Sequence, residues 1–248
     1  MKNKQHDWKF ILQFLLAMVT FLFAVVRIGM FYWEYSKGAK EYQNLQDAVI
    51  FSEEESPTDT ESDEFAIDFE KLQKINQDIV GWIQIEKLGI SYPIVQGKDN
   101  EYYLSHTFYR KENKCGSIFM EVQNQKDFRD QNTFLYGHNM KDHSMFTKLN
   151  ELKQEEVFQD NPKFLIYTPE GIHQYQIFSC YTASLESDSF QYKFTSEEEY
   201  ARWQKSVKGY SIYDTGVEPQ KEQKIVTLMT CTAQGQNYRF LVHGVLVN

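Results

Sequence analysis

The sequence has few residues of the kinds that mark several common classes of protein. Cysteine occurs only 3 times among 248 residues, at Cys115, Cys180 and Cys231. No C-x-x-C pair is present to form a zinc site or a dithiol redox centre, and at least one thiol must remain unpaired within the chain. The sequence also lacks a Gly-rich phosphate loop and an internal repeat.

Positive charge is scarce as well. Lys and Arg number 26 against 35 Asp and Glu, which gives a formal net charge of −9. A surface that follows nucleic-acid phosphates needs an excess of cations, so DNA and RNA are poor candidates for partners. Hydrophobic residues, by contrast, make up 42% of the chain and aromatic residues 16%. This composition excludes wholesale disorder and predicts one folded domain of ordinary size with appendages.

One long apolar run lies near the N-terminus. Residues 10–33 are almost entirely apolar, and roughly 20 such residues are enough to cross a bilayer as a helix. Lysines within residues 1–9 precede the run, so the positive-inside rule keeps this short segment in the cytoplasm. A cleaved signal peptide would have a shorter apolar region and a small-x-small site, which is absent near residues 27–35. We therefore predict a retained single-pass anchor in the cell membrane, with the rest of the chain on the extracellular face.

An acidic stretch follows the predicted anchor. Between Glu41 and Glu70 there are eleven acidic residues and no Lys or Arg. Within it, the composition of residues 52–64 cannot bury enough apolar surface to order the segment. We predict that residues 34–64 form a solvated, self-repelling spacer that holds a folded domain, residues 65–248, away from the membrane.

Eight short runs in this folded domain have the composition and alternation of β-strands. They cover residues 82–85, 90–95, 116–121, 132–136, 164–168, 173–182, 224–232 and 238–247. A helix is predicted near residues 67–79, and a second over 196–207 has Thr195 or Ser196 as its cap. Because the strands do not alternate regularly with helices, the pattern predicts a mainly β fold, a closed or nearly closed barrel with peripheral helices.

The last two predicted strands bring a thiol close to a guanidinium. Seven residues separate Cys231 from Arg239, so antiparallel pairing would place their Cβ atoms about 5 Å apart. A permanent cation favours the thiolate form of a cysteine and provides donors for an oxyanion, as an acyl-transfer nucleophile requires. A buried structural cysteine with an arginine at the rim of the barrel would show the same spacing. These two residues alone leave both interpretations open.

Cysteine catalysis also needs a proton carrier, and the chain has six histidines. His138 comes just after the predicted strand 132–136 and Gly137, where a glycine permits a turn and a side chain can overhang a groove. His143 lies in a polar loop and His243 alternates along a strand, so each also fits a surface or core residue. His138 is therefore the favoured candidate. No helical pair of histidines and no H-E-x-x-H occurs, so we predict no metal site.

Five segments carry the most specific sequence signal. They are Gln77-Asp78-Ile79-Val80-Gly81-Trp82-Ile83, Tyr92-Pro93-Ile94-Val95-Gln96, Gly116-Ser117-Ile118-Phe119-Met120, Tyr136-Gly137-His138-Asn139-Met140, and Thr227-Leu228-Met229-Thr230-Cys231 with Arg239-Phe240. Together they resemble the sortase family of Gram-positive surface transpeptidases, and class B most closely. The helical segment 195–210 before the cysteine strand is similar to the feature that separates class B from other sortases. Two positions depart from that pattern: Met229, where class B members commonly have Ser, and Thr232, where an acidic residue often follows the cysteine.

The resemblance implies an eight-stranded sortase-type barrel over residues 65–248 and a cysteine transpeptidase, of the cysteine-peptidase type, without a cofactor. It implies a catalytic triad of His138, Cys231 and Arg239. The thiolate would attack the carbonyl of a threonine in the C-terminal sorting motif of a surface protein, and Arg239 would stabilise the oxyanion. The resulting thioester would be resolved by an amine of a cell-wall precursor or of a pilin.

The residues that contact the substrate are predicted less directly. The resemblance suggests Leu104, Tyr181 and Thr230 beside the cysteine strand, although each also fits a core or surface residue. Cys115 and Cys180 are expected to be bystanders. Two other functions remain open at this point: a surface thiol peptidase, in which water resolves the thioester, and a surface binding module without catalysis.

Overall fold

A closed barrel of eight β-strands forms the centre of the protein, and helices lie around it. The computed structural model describes residues 4–52 and 65–247. The α-helices are α1 (Lys4–Val49), α2 (Phe69–Ile75), α3 (Glu155–Asp160) and α4 (Glu197–Gly209). The strands are β1 (Ile50–Ser52), β2 (Phe65–Ile67), β3 (Ile79–Ile85), β4 (Ile90–Val95), β5 (Ile118–Met120), β6 (Asn132–Tyr136), β7 (Lys163–Thr168), β8 (Gly171–Ser184), β9 (Ile225–Cys231) and β10 (Tyr238–Leu246). Short 3-10 helices cover Glu86–Leu88, Tyr102–Leu104, Thr147–Lys153 and Asp188–Phe190.

The strands of the barrel follow the order β10-β8-β7-β3-β4-β5-β6-β9 and close on themselves. The predicted mainly β barrel is confirmed, and all eight predicted strands belong to it. Two neighbouring pairs, β4 with β5 and β6 with β9, are parallel, whereas the other pairs are antiparallel. The small antiparallel sheet of β1 and β2 was not predicted, because its three-residue strands are too short to show a pattern.

Helix α1 continues well past the apolar run, and here the structure differs from the predicted spacer. Residues 34–49 are its last turns, and Tyr42, Leu45 and Val49 on this part are buried against the barrel. Their spacing of three and then four residues forms an apolar stripe on one face of the helix. The acidic composition concealed this stripe, so the folded part begins before residue 65. Residues 53–64 of the predicted spacer lie outside the described residues.

Helix α4 is the predicted insertion before the cysteine strand. Its cap is Ser196, whose hydroxyl accepts a hydrogen bond from the Glu199 amide at 3.2 Å, while the Glu199 carboxylate accepts one from the Thr195 amide at 2.7 Å. This reciprocal arrangement fixes the start of the helix. Tyr200 and Trp203 then bury their rings under α4, against β8 and β10.

Candidate active site

The parallel pairing of β6 with β9 brings the ends of these two strands to the same edge of the barrel. Tyr136 lies opposite Met229, and the amide of Gly137 donates a hydrogen bond to the Met229 carbonyl at 3.1 Å. His138 follows Tyr136 by two residues, and Cys231 follows Met229 by two residues. His138 therefore lies just beyond the end of β6 and Cys231 at the end of β9, at the same edge of the barrel.

Cys231 and Arg239 lie opposite each other in the antiparallel pair of β9 and β10, as their spacing predicts. Cys231 is the last residue of β9 and is exposed. The Nη1 atom of Arg239 donates hydrogen bonds to the carbonyls of Gln236 at 2.6 Å and Tyr238 at 2.9 Å. These bonds hold one arm of the guanidinium, and its other nitrogens have no partner among the described residues. The arginine is thus oriented by the backbone of its own hairpin.

The ring of His138 is oriented by a backbone carbonyl. Its Nε2 atom lies 2.7 Å from the carbonyl oxygen of Leu104. Because a carbonyl oxygen can only accept, Nε2 carries a proton, and Nδ1 is the basic nitrogen of the neutral ring. The preceding Gly137 is required by close approach, not by a turn with positive φ, since a Cβ there would lie 2.6 Å from the Phe146 ring.

Asn139 is a site residue that the sequence analysis did not single out. Its side-chain amide donates a hydrogen bond to the carbonyl oxygen of Cys231 at 2.9 Å. The backbone of Asn139 also forms a bridge with Met145, which closes the loop after β6. The contact connects the loop that carries His138 to the strand that carries the thiol. The position of Asn139 directly after His138 in the same motif is the sequence signal that could have identified it.

A cavity of about 270 Å³ opens between these side chains. It is lined by Asn100, Leu104, Phe119, Tyr136, Gly137, His138, Met229, Thr230, Cys231 and Arg239. Five of the six predicted site residues therefore meet in one place. The hydroxyl of Thr230 is buried and has no hydrogen-bond partner among the described residues. The described part of the chain contains no group of three or more His, Cys, Asp or Glu side chains that could hold a metal ion.

A buried carboxylate lies behind part of the cavity lining. Glu121 is only 5% exposed and accepts hydrogen bonds from the Tyr136 hydroxyl at 2.6 Å and the Asn100 amide at 2.8 Å. Burial, followed by the neighbouring Glu121 carboxylate, raises the pKa of Tyr136, which therefore stays protonated. The three residues lie far apart in the sequence, so no local pattern could have grouped them.

The sixth predicted site residue, Tyr181, lies elsewhere, and its assignment as a substrate contact is not supported. It is 4% exposed and does not line the cavity. Its hydroxyl lies 3.1 Å from Nε2 of His243, and its ring packs against those of His243 and Tyr210. Tyr181 is a core residue because its position on β8 turns the ring toward the apolar cluster under α4.

His243 is part of a buried hydrogen-bond chain, which settles its role as a core residue. The hydroxyl of Thr227 donates to the Asn132 side chain at 2.7 Å, so Nδ1 of His243 must donate to Thr227, at 2.8 Å. Its Nε2 then accepts from Tyr181. Burial lowers the pKa of His243 to about 3, and the ring is neutral at physiological pH.

The three thiols differ sharply in their surroundings. Cys115 and Cys180 are buried, and burial raises the pKa of each to about 12. Neither forms an appreciable amount of thiolate near neutral pH. Cys231 alone among the three is exposed, and it lies in the cavity. This agrees with the expectation that Cys115 and Cys180 are bystanders.

Comparison with known proteins identifies the class of protein that this barrel and cavity define. The sortase domain family matches residues 83–247. The chain therefore belongs to the sortase family, and this membership implies cysteine transpeptidase activity.

Its relatives are class B sortases. The chain is 32% identical over 235 residues to sortase B of Listeria monocytogenes, covering 94% of each chain. It is 30% identical over 223 residues to sortase B of Staphylococcus aureus, covering 89% of this chain and 88% of that one. A crystal structure of sortase B from B. anthracis superposes with a TM-score of 0.74 at 34% identity, covering 88% of this chain and 99% of the other. The resemblance seen in the sequence motifs is thereby confirmed.

Proposed function

We propose that this chain is a membrane-anchored transpeptidase that cleaves a C-terminal sorting motif after threonine and transfers the protein to an amine. The acceptor amine belongs to a cell-wall precursor or to a pilin. The observation that supports this proposal most directly is the single cavity in which Cys231, His138 and Arg239 come together.

In the first half of the reaction, the thiolate of Cys231 attacks the carbonyl carbon of the substrate threonine. The electron pair of the carbonyl moves to its oxygen, and the guanidinium nitrogens of Arg239 that have no described partner donate to this oxyanion. Collapse of the intermediate breaks the peptide bond, and His138 gives a proton to the departing amine. A thioester to Cys231 and a free C-terminal fragment result.

In the second half, the acceptor amine enters on the side from which the first amine left. His138, now neutral, takes a proton from it as its nitrogen attacks the thioester carbonyl. The thiolate of Cys231 leaves, and a new amide bond forms. If water attacked instead, the same residues would produce simple hydrolysis.

Two lining residues are proposed to contact the sorting motif. Leu104 is 44% exposed at the edge of the cavity and offers an apolar surface next to His138. Thr230 has a buried hydroxyl without a described partner, directly before the nucleophile. A polar group of the bound peptide would relieve the cost of that unpaired hydroxyl.

The anchor is proposed to be residues 10–33 of helix α1, with residues 1–9 in the cytoplasm and the barrel outside. Among the described residues, α1 is the one helix long and apolar enough to cross a membrane; its most apolar stretch of 18 residues has a mean hydropathy of 2.3, and none of that stretch is buried. Phe14 is 62% and Trp33 68% exposed, which suits contact with lipid. Holding the enzyme, the sorted protein and the acceptor at one surface raises their effective concentration.

The decisive experiment uses the full chain in detergent micelles and a peptide library with threonine at the scissile position. Reactions run with and without a peptide that supplies a free amine, and mass spectrometry follows the products. Amine-dependent ligation, absent in Cys231→Ala, is expected. Hydrolysis alone would favour a thiol peptidase, and no reaction with any peptide would favour a binding module.

A further inference from the structure

Tyr42 belongs to the anchor helix, yet it contacts the segment from which Leu104 lines the active-site cavity. Its side chain is 3% exposed. The hydroxyl donates a hydrogen bond to the Gly116 carbonyl at 2.7 Å and accepts one from the Phe108 amide at 3.1 Å. One side chain of α1 thus holds two points of residues 102–117, which we name the wall segment.

Gly116 lies between Tyr42 and the catalytic imidazole. A Cβ at Gly116 would lie 2.8 Å from the carbonyl oxygen of Leu104 and 3.1 Å from Cδ2 of His138. Its backbone therefore touches both the ring and the carbonyl that orients the ring. Because no side chain separates these groups, we expect a shift of the Gly116 carbonyl to displace the Leu104 carbonyl, which is the acceptor of the His138 hydrogen bond.

A second contact joins α1 to the same segment. A Cβ at Gly38 would lie 2.7 Å from Sγ of Cys115, so the helix backbone directly contacts this buried thiol. Two ion pairs flank the contact, from Glu34 to Lys114 at 3.1 Å and from Glu41 to Lys111 at 3.3 Å. The wall segment is thus held between the anchor helix on one side and His138 on the other.

We propose that Tyr42 is a positioning residue for His138, which makes the extracellular end of the anchor helix a part of the active-site wall. The proposal rests on the proposed catalytic role of His138. The helix then does more than hold the enzyme at the membrane. The Tyr42 hydroxyl fixes the position of the Leu104 carbonyl, and this carbonyl in turn orients the His138 imidazole.

The test compares two tyrosine-to-phenylalanine variants of the full chain in detergent micelles. Tyr42→Phe removes the hydroxyl and keeps the ring. Tyr200→Phe is the matched control, because Tyr200 is similarly buried and its hydroxyl proton is shared between the carbonyl oxygens of Gln131 and Gln223, both at 2.7 Å, under α4. Both variants should lose similar thermal stability.

Only Tyr42→Phe should affect catalysis. We expect its kcat to fall about threefold to tenfold with KM little changed, because the hydrogen bonds of one positioning hydroxyl are lost. In spectra of protein labelled with 15N-histidine, the His138 ring signals should move in Tyr42→Phe and stay in place in Tyr200→Phe. If both variants keep kcat within twofold and the His138 signals do not move, the proposal is overturned.

A second pair of variants displaces the wall segment by adding a methyl group, whereas Tyr42→Phe removes a contact with it. Gly38→Ala places a methyl group against Cys115, so it should lower kcat and move the His138 signals. Adding Cys115→Ala removes the sulfur and should restore both. Failure of this rescue, with Cys115→Ala itself active, would contradict the coupling.

The two proposals can fail separately. If the unchanged protein ligates no peptide, the proposed function fails, but the histidine spectra still report whether Tyr42 orients His138. If ligation occurs and the Tyr42 and Gly38 variants behave like their controls, only the positioning role is lost.

Discussion

The side chain of Asn139 donates a hydrogen bond to the backbone carbonyl of Cys231, at 2.9 Å. The donor stands next to the proposed proton carrier and the acceptor belongs to the proposed nucleophile. This single bond therefore restricts how far the loop after β6 can move from the end of β9. It acts on the relative position of two reacting groups, for which small displacements are costly in rate.

Replacing Asn139 by Ala should lower kcat/KM about fivefold, because one hydrogen bond contributes about 1 kcal/mol. Steady-state ligation kinetics measure the effect. Asn150→Ala is the control, since the Asn150 amide donates to the Thr147 carbonyl within its own turn at 3.1 Å. Equal rates for the two variants would show that the Asn139 bond does not position the site.

The position of His138 relative to Cys231 shows what the sequence could not provide. The strands that carry them were predicted, but an antiparallel hairpin was the only pairing that loop length could indicate. The short loop before β10 gave the Cys231–Arg239 register correctly. The parallel register of β6 and β9 joins residues about 90 positions apart, and it depends on closure of the whole barrel.

The same dependence on tertiary packing explains the two main differences between the sequence predictions and the structure, which concern Tyr181 and the end of α1. Tyr181 lies on a correctly predicted strand, but barrel closure and α4 decide that no side chain of β8 lines the cavity. The packing of the end of α1 was not predicted, because the acidic composition is a property of the whole stretch, whereas packing depends on one helical face that includes Tyr42 and Leu45. The composition of a segment therefore indicates its charge, whereas the spacing of its apolar residues indicates which of them are buried.

The thiols should react in the order of their exposure. Iodoacetamide at pH 8 should modify Cys231 first and abolish ligation, while Cys115 and Cys180, whose pKa values burial raises to about 12, react only after unfolding. Peptide mapping by mass spectrometry locates the label.

Cys115→Ala and Cys180→Ala should keep most of the activity and Cys231→Ala none. Loss of activity in Cys115→Ala equal to that in Cys231→Ala would contradict the assignment.

The boundary of the folded part can be tested by truncation. The sequence predicts that residues 65–248 suffice, but this fragment lacks the buried side chains of Tyr42, Leu45 and Val49. Each such burial contributes about 1.5–3 kcal/mol, so the fragment should unfold at a clearly lower urea concentration than residues 34–248.

Point variants of the longer fragment provide the control for that comparison. Leu45→Ala should destabilise it by about 2–5 kcal/mol, whereas Gln43→Ala, on the exposed face of α1, should stay within about 0.5 kcal/mol. Equal urea midpoints for the two fragments would mean that the end of α1 contributes nothing to stability.

The buried His243 should make the fold sensitive to acid. Its pKa is lowered to about 3 by burial, whereas the unfolded chain protonates histidine near its ordinary value of about 6.5. Stability from this group is therefore complete above about pH 6.5 and is lost as the pH falls, by up to about 1.4 kcal/mol per pH unit.

Urea unfolding of the parent and His243→Gln at pH 6 and pH 4 measures this contribution. The stability of the variant should fall less between the two pH values, by roughly 2 kcal/mol. His173→Gln, on the same barrel but less buried, should behave like the parent. Parallel pH profiles for His243→Gln and the parent would remove His243 as a source of acid sensitivity.

Arg239 provides the sharpest test of the proposed chemistry. Its Nη1 already donates to the carbonyls of Gln236 and Tyr238, so the oxyanion must be met by the rest of the rigid guanidinium fork. A lysine keeps the charge, but its ammonium sits on a flexible stem and cannot hold the hairpin carbonyls and the substrate oxygen in the same geometry. Arg239→Lys should therefore lose about 2.7–4 kcal/mol of transition-state stabilisation, a fall in kcat of roughly 100- to 1,000-fold.

The melting temperature of the same variant separates this role from a structural one. If Arg239 is structural, the variant should keep turnover within a few fold of the parent and have a lower melting temperature. If Arg239 is an oxyanion donor, turnover should fall strongly and the melting temperature should stay near that of the parent. Arg202→Lys, on the exposed surface of α4, should change neither quantity. Near-normal ligation by Arg239→Lys would remove Arg239 from the proposed triad and leave Cys231 and His138 to carry the reaction.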